Sequence, residues 1–233
     1  MNTYLTVVIP VFNEEKRIIN LEKIIAYIKR LPYTTELLVV NDGSTDRTLE
    51  NLDSYSKEYS FSVLSYASNK GKGHAVKKGM LAATGKFVLF MDVDLSTPLY
   101  EIPRIVAKMN TCDVCIATRK NKAAKLVKRQ PFIRESMGKG FTLLTRLMLG
   151  VPVSDFTCGF KCFSSEAAHT IFQQVTIDGW SFDAQSLALA HRAGLKMAEL
   201  PVEWADNPGT RVSLLKDIIK SFIDLVRISR SLP

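Results

Sequence analysis

Four apolar runs constrain this chain more than anything else in it: YLTVVIP (Tyr4–Pro10), ELLVV (Glu36–Val40), KFVLFM (Lys86–Met91) and DVCIAT (Asp113–Thr118). A strand with one face in water alternates apolar and polar residues, whereas a run without alternation is covered on both faces. Between these runs lie stretches of helical period. Ile18, Leu21, Ile24, Ile25 and Ile28 share one side of Glu14–Leu31, a helix opens near Asp46, and Gly73–Ala83 and Pro98–Asn110 follow, with Phe61–Ser65 as a further short strand. Strands alternating with helices predict an α/β fold, a mostly parallel sheet with helices on both faces. In such sheets ligands bind beyond the carboxyl ends of the strands. Asn13, Asp42, Asp92 and Asp94 all fall there and are expected to converge on one crevice.

After Arg119 the rhythm changes. A basic, mobile connection is expected to lead into a helix around Arg134–Leu149, then VSDFTCGFKCF, a helix near Phe182–Ala193, the short strand MAELPVEW and an amphipathic helix over Ser213–Arg230. The 233 residues, 46% hydrophobic and 23% charged, suit a single domain over 1–230 with a full-sized core and exclude a disordered chain. No apolar run spans a bilayer, and MNTYLTVVIPVFNEE has neither a charged leader nor a small-residue cleavage site, so a cytoplasmic protein is expected.

FMDVDLSTP (Phe90–Pro98) places Asp92 and Asp94 two residues apart at a strand end. If strand geometry persists, both face one side, and with no lysine or arginine beside them they repel unless a cation lies between. Carboxylate oxygens suit Mg²⁺ or Mn²⁺, which keep several waters and take other ligands from substrate phosphates. The alternative is a solvated pair of aspartates at a turn. Asp42 can accept hydrogen bonds from a nucleobase or ribose, and Pro10, Phe12 and Glu14 can wall the same pocket. KGKGHAVKK (Lys70–Lys78) brings glycines and cations near, without the spacing of a P-loop.

The formal charge is +8, and Arg119–Lys139 supplies most of it, with eight basic residues against Glu135 alone. Its partner is expected to be anionic: a phosphate-bearing substrate, an acidic membrane surface or nucleic acid. Only Phe132 is aromatic in that segment, which argues against nucleic acid. Cys112/Cys115 and Cys158/Cys162 have the close spacing of metal ligands, but residues three apart on a strand face opposite sides, so buried thiols are the better account. His74, beside Gly73, reads as a helix-start histidine.

VVIPVFNEE, VVNDGSTDRT and the D-x-D of FMDVDLSTP, in that order, resemble family 2 glycosyltransferases of the GT-A fold. SDFTCGFKCF, DGWSFDAQSLALA and AELPVEWADNPGTRV resemble the D-T-Q-C-G-F-K, W-x-F-D-x-E and P-V-x-W…G-S-[KR]-V segments of polyprenyl-phosphate sugar transferases. They are most similar to dolichyl-phosphate glucosyltransferases and next to dolichyl-phosphate mannose synthases. Gln185 stands where that pattern has an acid, and Thr210-Arg211 replaces Ser-Lys.

The resemblance implies a nucleotide-binding half over about 1–118 and an acceptor-binding half over 119–212, ahead of the helix at 213–230. Pro10, Phe12, Glu14, Asp42, Lys70 and Asp92 would hold the nucleotide, and Asp92 and Asp94 the metal and diphosphate. Arg119, Arg129, Arg134, Ser136, Lys161 and Arg211 would meet the acceptor phosphate or the diphosphate. The implied reaction moves a sugar with inversion onto a polyprenyl or dolichyl phosphate. The implied donor is UDP-glucose before GDP-mannose, and the implied place is the cytoplasmic face of a membrane. Asp183 would serve as base if the acceptor were instead a sugar hydroxyl. A catalytically inactive scaffold of the same fold is a further alternative.

Overall fold

The computed structural model describes residues 3–207 and 214–232. Its elements run β1 (Leu5–Val11), α1 (Asn20–Ile28), β2 (Thr35–Asp42), α2 (Thr48–Tyr59), β3 (Ser62–Tyr66), α3 (Lys72–Ala82), β4 (Phe87–Met91), α4 (Glu101–Lys108) and β5 (Val114–Thr118). Then follow β6 (Lys125–Lys128), α5 (Phe132–Leu149), β7 (Phe160–Ser164), α6 (Ser165–Gln174), α7 (Phe182–Arg192), β8 (Met197–Pro201), β9 (Glu203–Ala205) and α8 (Leu214–Ser231).

Seven strands form one sheet in the order β3-β2-β1-β4-β7-β5-β8, and only β7 runs antiparallel to its neighbours. The unbroken apolar runs are explained by cover on both faces. Val8, Val40, Val88, Phe90 and Ile116 point into one core with α3, α6, α7 and the Leu225 and Ile228 side of α8. Val7, Ile9, Val39, Leu89 and Ala117 point into a second with α1, α4 and Leu52 of α2. Each such side chain contributes about 1.5–3 kcal/mol by leaving water.

From β1 the chain builds outward through β2 and β3 on one side, while β4 pairs with the other side of β1. That reversal opens a crevice at the carboxyl ends of β1 and β4, the usual ligand position in open α/β sheets.

Several expectations are corrected. The helix expected over Glu14–Leu31 begins only at Asn20, after a run of turns. The connection after Arg119 is not structureless: β6 pairs in parallel with β9 as a separate two-stranded sheet. MAELPVEW is two strands, broken at Val202, because β8 joins the large sheet and β9 the small one. The strand β7 and helix α6 were not foreseen. Lys161 in FKCFS breaks the apolar run and hides a strand buried in the middle of the sheet.

Candidate active site

At the carboxyl end of β1, Asn13 adopts a left-handed backbone conformation with φ of 53°. Its side-chain oxygen accepts from the Thr45 amide at 2.6 Å, and its own amide donates to Ser44 Oγ at 2.8 Å, so the ends of β1 and β2 are tied together. Pro10 is half-buried on β1, and Phe12 is half-buried just beyond it. The Glu14 carboxylate pairs with Arg17 at 3.2 Å, and the Glu14 amide donates to Thr48 Oγ1.

Asp42 closes β2 and organises the loop before α3. Its carboxylate accepts from the amides of Lys70 at 2.8 Å and Gly71 at 2.9 Å, and from Asn69 Nδ2 at 2.8 Å. The expected nucleotide acceptor therefore already holds three donors from the chain. Lys70 itself is exposed, with Nζ 5.7 Å from the centre of the Tyr66 ring.

The strand β4 ends at Met91, so Asp92 and Asp94 lie in the turn beyond it rather than on one strand face. Leu95 takes a left-handed conformation, φ 57°, and Asp94 Oδ1 accepts from the Ser96 amide at 2.9 Å. Asn20 donates to the Val93 carbonyl and Asn207 to the Asp94 carbonyl, pinning the turn from two sides. Non-glycine residues pay for left-handed backbone, and such strain concentrates where a site must be shaped.

The expectation that no cation sits beside the pair is wrong. Lys72, the first residue of α3, places Nζ 2.6 Å from Asp92 Oδ1 and 5.2 Å from the Trp180 ring centre. Burial disfavours the Lys72 ammonium, but Asp92, Asp183 and Asp94 outweigh it and hold its pKa above the usual lysine value. Burial and the neighbouring Asp92 charge push Asp94 above the ordinary carboxylate range. Gly159, whose carbonyl accepts the Asp92 amide at 3.2 Å, is required by close approach: a Cβ there would run into the Asp92 carboxylate.

Lys161 and Asp183 form a second pair below this one. Lys161 is 0% exposed, with Nζ 2.5 Å from Asp183 Oδ1, 2.7 Å from the Cys158 carbonyl and 5.2 Å from the Phe90 ring centre. Its expected contact with an acceptor phosphate is not available to it in this geometry. Burial raises the Asp183 pKa, with Lys161 and Lys72 acting against it.

Arg119 is likewise engaged. Its guanidinium forms a fork on the buried Asp155, Nε to Oδ2 at 2.7 Å and one terminal nitrogen to Oδ1 at 2.8 Å, and lies 5.2 Å from the Trp204 ring. Burial works against the Asp155 carboxylate, yet Arg119 holds it well below the usual range. Arg129 is exposed, 4.0 Å from Glu135, and Ser136 is exposed on α5. The Arg134 side chain and Arg211 lie outside the described residues.

Among the described residues no three or more His, Cys, Asp or Glu side chains converge on a metal position. The donor set is two carboxylates. That fits a hard divalent cation which completes its shell with water and phosphate oxygens, and does not fit a metal caged by protein alone. The four thiols are buried in the core, with Cys115 and Cys162 paired across β5 and β7.

A doubly covered sheet with a carboxylate turn at its switch point is the arrangement that the resemblance to glycosyltransferases of the GT-A type implies. The model of glycosyl transferase family 2 matches residues 6–172, and the chain belongs to that family. Its relatives include the dolichyl-phosphate beta-glucosyltransferase ALG5D of Trichomonas vaginalis, 33% identical over 97% of this chain and 73% of the relative. The dolichyl-phosphate beta-glucosyltransferase of Saccharomyces cerevisiae is 32% identical over 97% of this chain and 74% of its own. Among solved structures, glucosyl-3-phosphoglycerate synthase from Mycobacterium tuberculosis, in complex with Mn²⁺, UDP-glucose and glycerol 3-phosphate, has a TM-score of 0.74. It is 20% identical over 99% of this chain and 81% of that one, a likeness of fold.

Residues that sequence reasoning missed are Lys72, Gly159, Asn207 and Asp155. Lys72 stood in a run taken for a weak phosphate motif, and Gly159 and Asp155 within SDFTCGFKCF.

Proposed function

We propose that this chain transfers glucose from UDP-glucose, with inversion, onto a polyprenyl or dolichyl phosphate at the cytoplasmic face of a membrane. The observation that carries this reading is the Asp92–Asp94 turn at the mouth of the β1/β4 crevice. There two carboxylates are held by backbone and asparagine contacts, with Lys72 alongside. The names of the relatives, which extend over nearly the whole chain, support the acceptor and the sugar. GDP-mannose is the less supported donor.

Asp92 and Asp94 would hold Mg²⁺ or Mn²⁺ against the donor diphosphate. When bound, the ion supplies positive charge where the leaving group gains negative charge. In this reading Lys72 adds a fixed cation at the same place, and Pro10, Phe12, Glu14, Asp42 and Lys70 border the nucleotide. A phosphomonoester has a second pKa near ~6, so the acceptor arrives already anionic and needs positive charge around it more than a base. Arg129, Arg134, Ser136 and Arg211 are the proposed contributors. Arg119 would act through its unused guanidinium donors, and Lys161 through Asp183 rather than through substrate.

The competing reading, transfer to a hydroxyl with Asp183 as base, is disfavoured by the 2.5 Å bond that commits Asp183 to Lys161. The test is purified protein with Mn²⁺ or Mg²⁺, a panel of nucleotide sugars and polyprenyl phosphate, scored for lipid-linked sugar. The expected outcome is transfer from UDP-glucose, falling by on the order of 10²–10³ or more in Asp94→Asn. No transfer from any donor, with metal-dependent nucleotide binding intact, sinks the reading.

A further inference from the structure

KGKGH (Lys70–His74) has the composition of a phosphate cradle, yet most of its amides are already taken up inside the chain. Those of Lys70 and Gly71 donate to the Asp42 carboxylate, and those of Gly73 and His74 donate to the Asp178 carbonyl at 2.7 and 3.3 Å. The segment 177–179 lies so close over the start of α3 that a Cβ on Gly73 would run into the Ile177 carbonyl. What this loop carries to the crevice is therefore one side chain, Lys72. Its ammonium is anchored from two sides, by Asp92 Oδ1 at 2.6 Å and by the ring of Trp180, a residue 44% exposed beside it.

That ammonium stands where the proposed metal would need to bind. Asp92 Oδ2 turns toward Gly159, where no Cβ fits, and Oδ1 is the oxygen that Lys72 holds. A hard divalent ion such as Mg²⁺ sits about 2.0–2.1 Å from its oxygens, so it cannot share Oδ1 with an ammonium at hydrogen-bond distance without strong repulsion. Asp92, Asp183 and Asp94 all act on the Lys72 charge, and Asp183 is also the partner of Lys161, so three carboxylates face two ammonium groups. Two carboxylates at a shielded turn repel each other unless a cation lies beside them. We infer that Lys72 is the counter-ion of the metal-free site: it holds Asp92 in place of the divalent cation, leaves that oxygen when metal and donor diphosphate arrive, and stays at the crevice against the Trp180 ring. Lys72 then competes with metal that comes alone, whereas metal that comes with a diphosphate offers the displaced ammonium a new anionic partner. Metal and nucleotide therefore favour each other's binding, and Trp180 is a positioning residue that keeps the ammonium within reach by cation–π attraction. The inference rests on the proposed use of a divalent metal at Asp92 and Asp94, and concerns neither the sugar nor the acceptor.

The experiment is Mn²⁺ binding followed by the paramagnetic resonance of the free ion, without nucleotide and with saturating UDP, alongside calorimetry of UDP alone. The wild type is expected to bind Mn²⁺ weakly by itself and roughly tenfold or more tightly with UDP. Lys72→Met removes the competitor and should bind Mn²⁺ by itself roughly tenfold more tightly than the wild type, while its affinity for UDP alone falls severalfold. Lys72→Arg, which keeps the charge, should stay near the wild type in both, and Trp180→Leu should reduce the enhancement by UDP. The opposite signs for the two ligands are the signature. A lysine that merely supports the fold would weaken both on removal, and one that serves only the diphosphate would weaken UDP and leave Mn²⁺ unmoved; either result overturns the inference. So does a wild type that binds Mn²⁺ as tightly without UDP as with it, a measurement that needs no variant to fold. Lys72→Gln is read in place of Lys72→Met if the apolar side chain unfolds the protein. Full enhancement in Trp180→Leu would overturn the part given to the ring. Absence of transfer to polyprenyl phosphate with these binding signatures intact would overturn the proposed function and leave Lys72 in this role.

Discussion

Before Thr118, the carboxylates at the ends of β2 and β4 are held by backbone amides: Asp42 by those of Lys70 and Gly71, Asp94 by that of Ser96. After it, the two carboxylates beneath the crevice are held by side-chain cations: Asp155 by Arg119, Asp183 by Lys161. An amide fixes a carboxylate without cancelling its charge, so the first half keeps negative charge in place and available. A lysine or arginine cancels it, so in the second half paired charges shape the crevice and contribute little field outside it. Asp92 departs from this division, its carboxylate held by Lys72 of α3 while its own amide donates to the Gly159 carbonyl, and away from the strand ends Glu14 and Glu101 pair with Arg17 and Arg104.

The comparison is most exposed at the deepest pair. Lys161→Met should strand the Asp183 carboxylate and cost about 3–5 kcal/mol in denaturant unfolding, and Lys161→Met/Asp183→Leu should recover most of it. A loss below about 1 kcal/mol in the single variant would mean that the pair is not the second half's organising charge. Asp155→Asn should cost about 2–3 kcal/mol at neutral pH. Because Arg119 depresses the Asp155 pKa, this stabilisation is fully present above the ordinary value of 3.8 and is lost as the pH falls below it. The gap between wild type and Asp155→Asn should therefore narrow below that pH, as followed by unfolding at several pH values.

In the first half the sharper probe is steric. Gly159→Ala pushes on the Asp92 carboxylate and should weaken Mn²⁺-dependent UDP binding by roughly tenfold in calorimetry, with a smaller effect on nucleotide alone. The smallest effect belongs to Arg129→Ala: a stability change within about 0.5 kcal/mol, with the acceptor KM raised severalfold and the donor KM unchanged. If only the donor KM moved, Arg129 would belong to the nucleotide side.

The parallel strands β1, β2, β4 and β5 were legible because burial on both faces removes polar residues from a run, and the aspartates at their ends were legible because a strand end is where polarity returns. The middle of the sheet was not. In β7, Lys161 stands where a strand buried on both faces ordinarily carries an apolar residue, and its charge is met by Asp183, 22 positions later in the chain. No local pattern carries a pairing of that separation. The excess of basic residues in 119–139 was read correctly as charge but not as available charge. Arg119 is taken by Asp155, Lys120 is bonded to the Gly138 carbonyl and Thr142, and Lys125 pairs with Glu203 at 2.7 Å. Among the described side chains what remains is Lys122 and Lys128, with the exposed Arg129 and Lys139 sharing Glu135.

The antiparallel β7 also bears on the order in which the molecule can be made. It lies between β4 and β5, so those two strands, complete by residue 118, have no bond to each other and must wait for residues 160–164 to join them. During synthesis the β3-β2-β1-β4 block can assemble alone while β5 hangs with open edges on both sides, the condition in which strands recruit wrong partners. A chain stopped before Phe160 should therefore be prone to aggregation, and its completion depends on a strand whose second residue is a buried lysine.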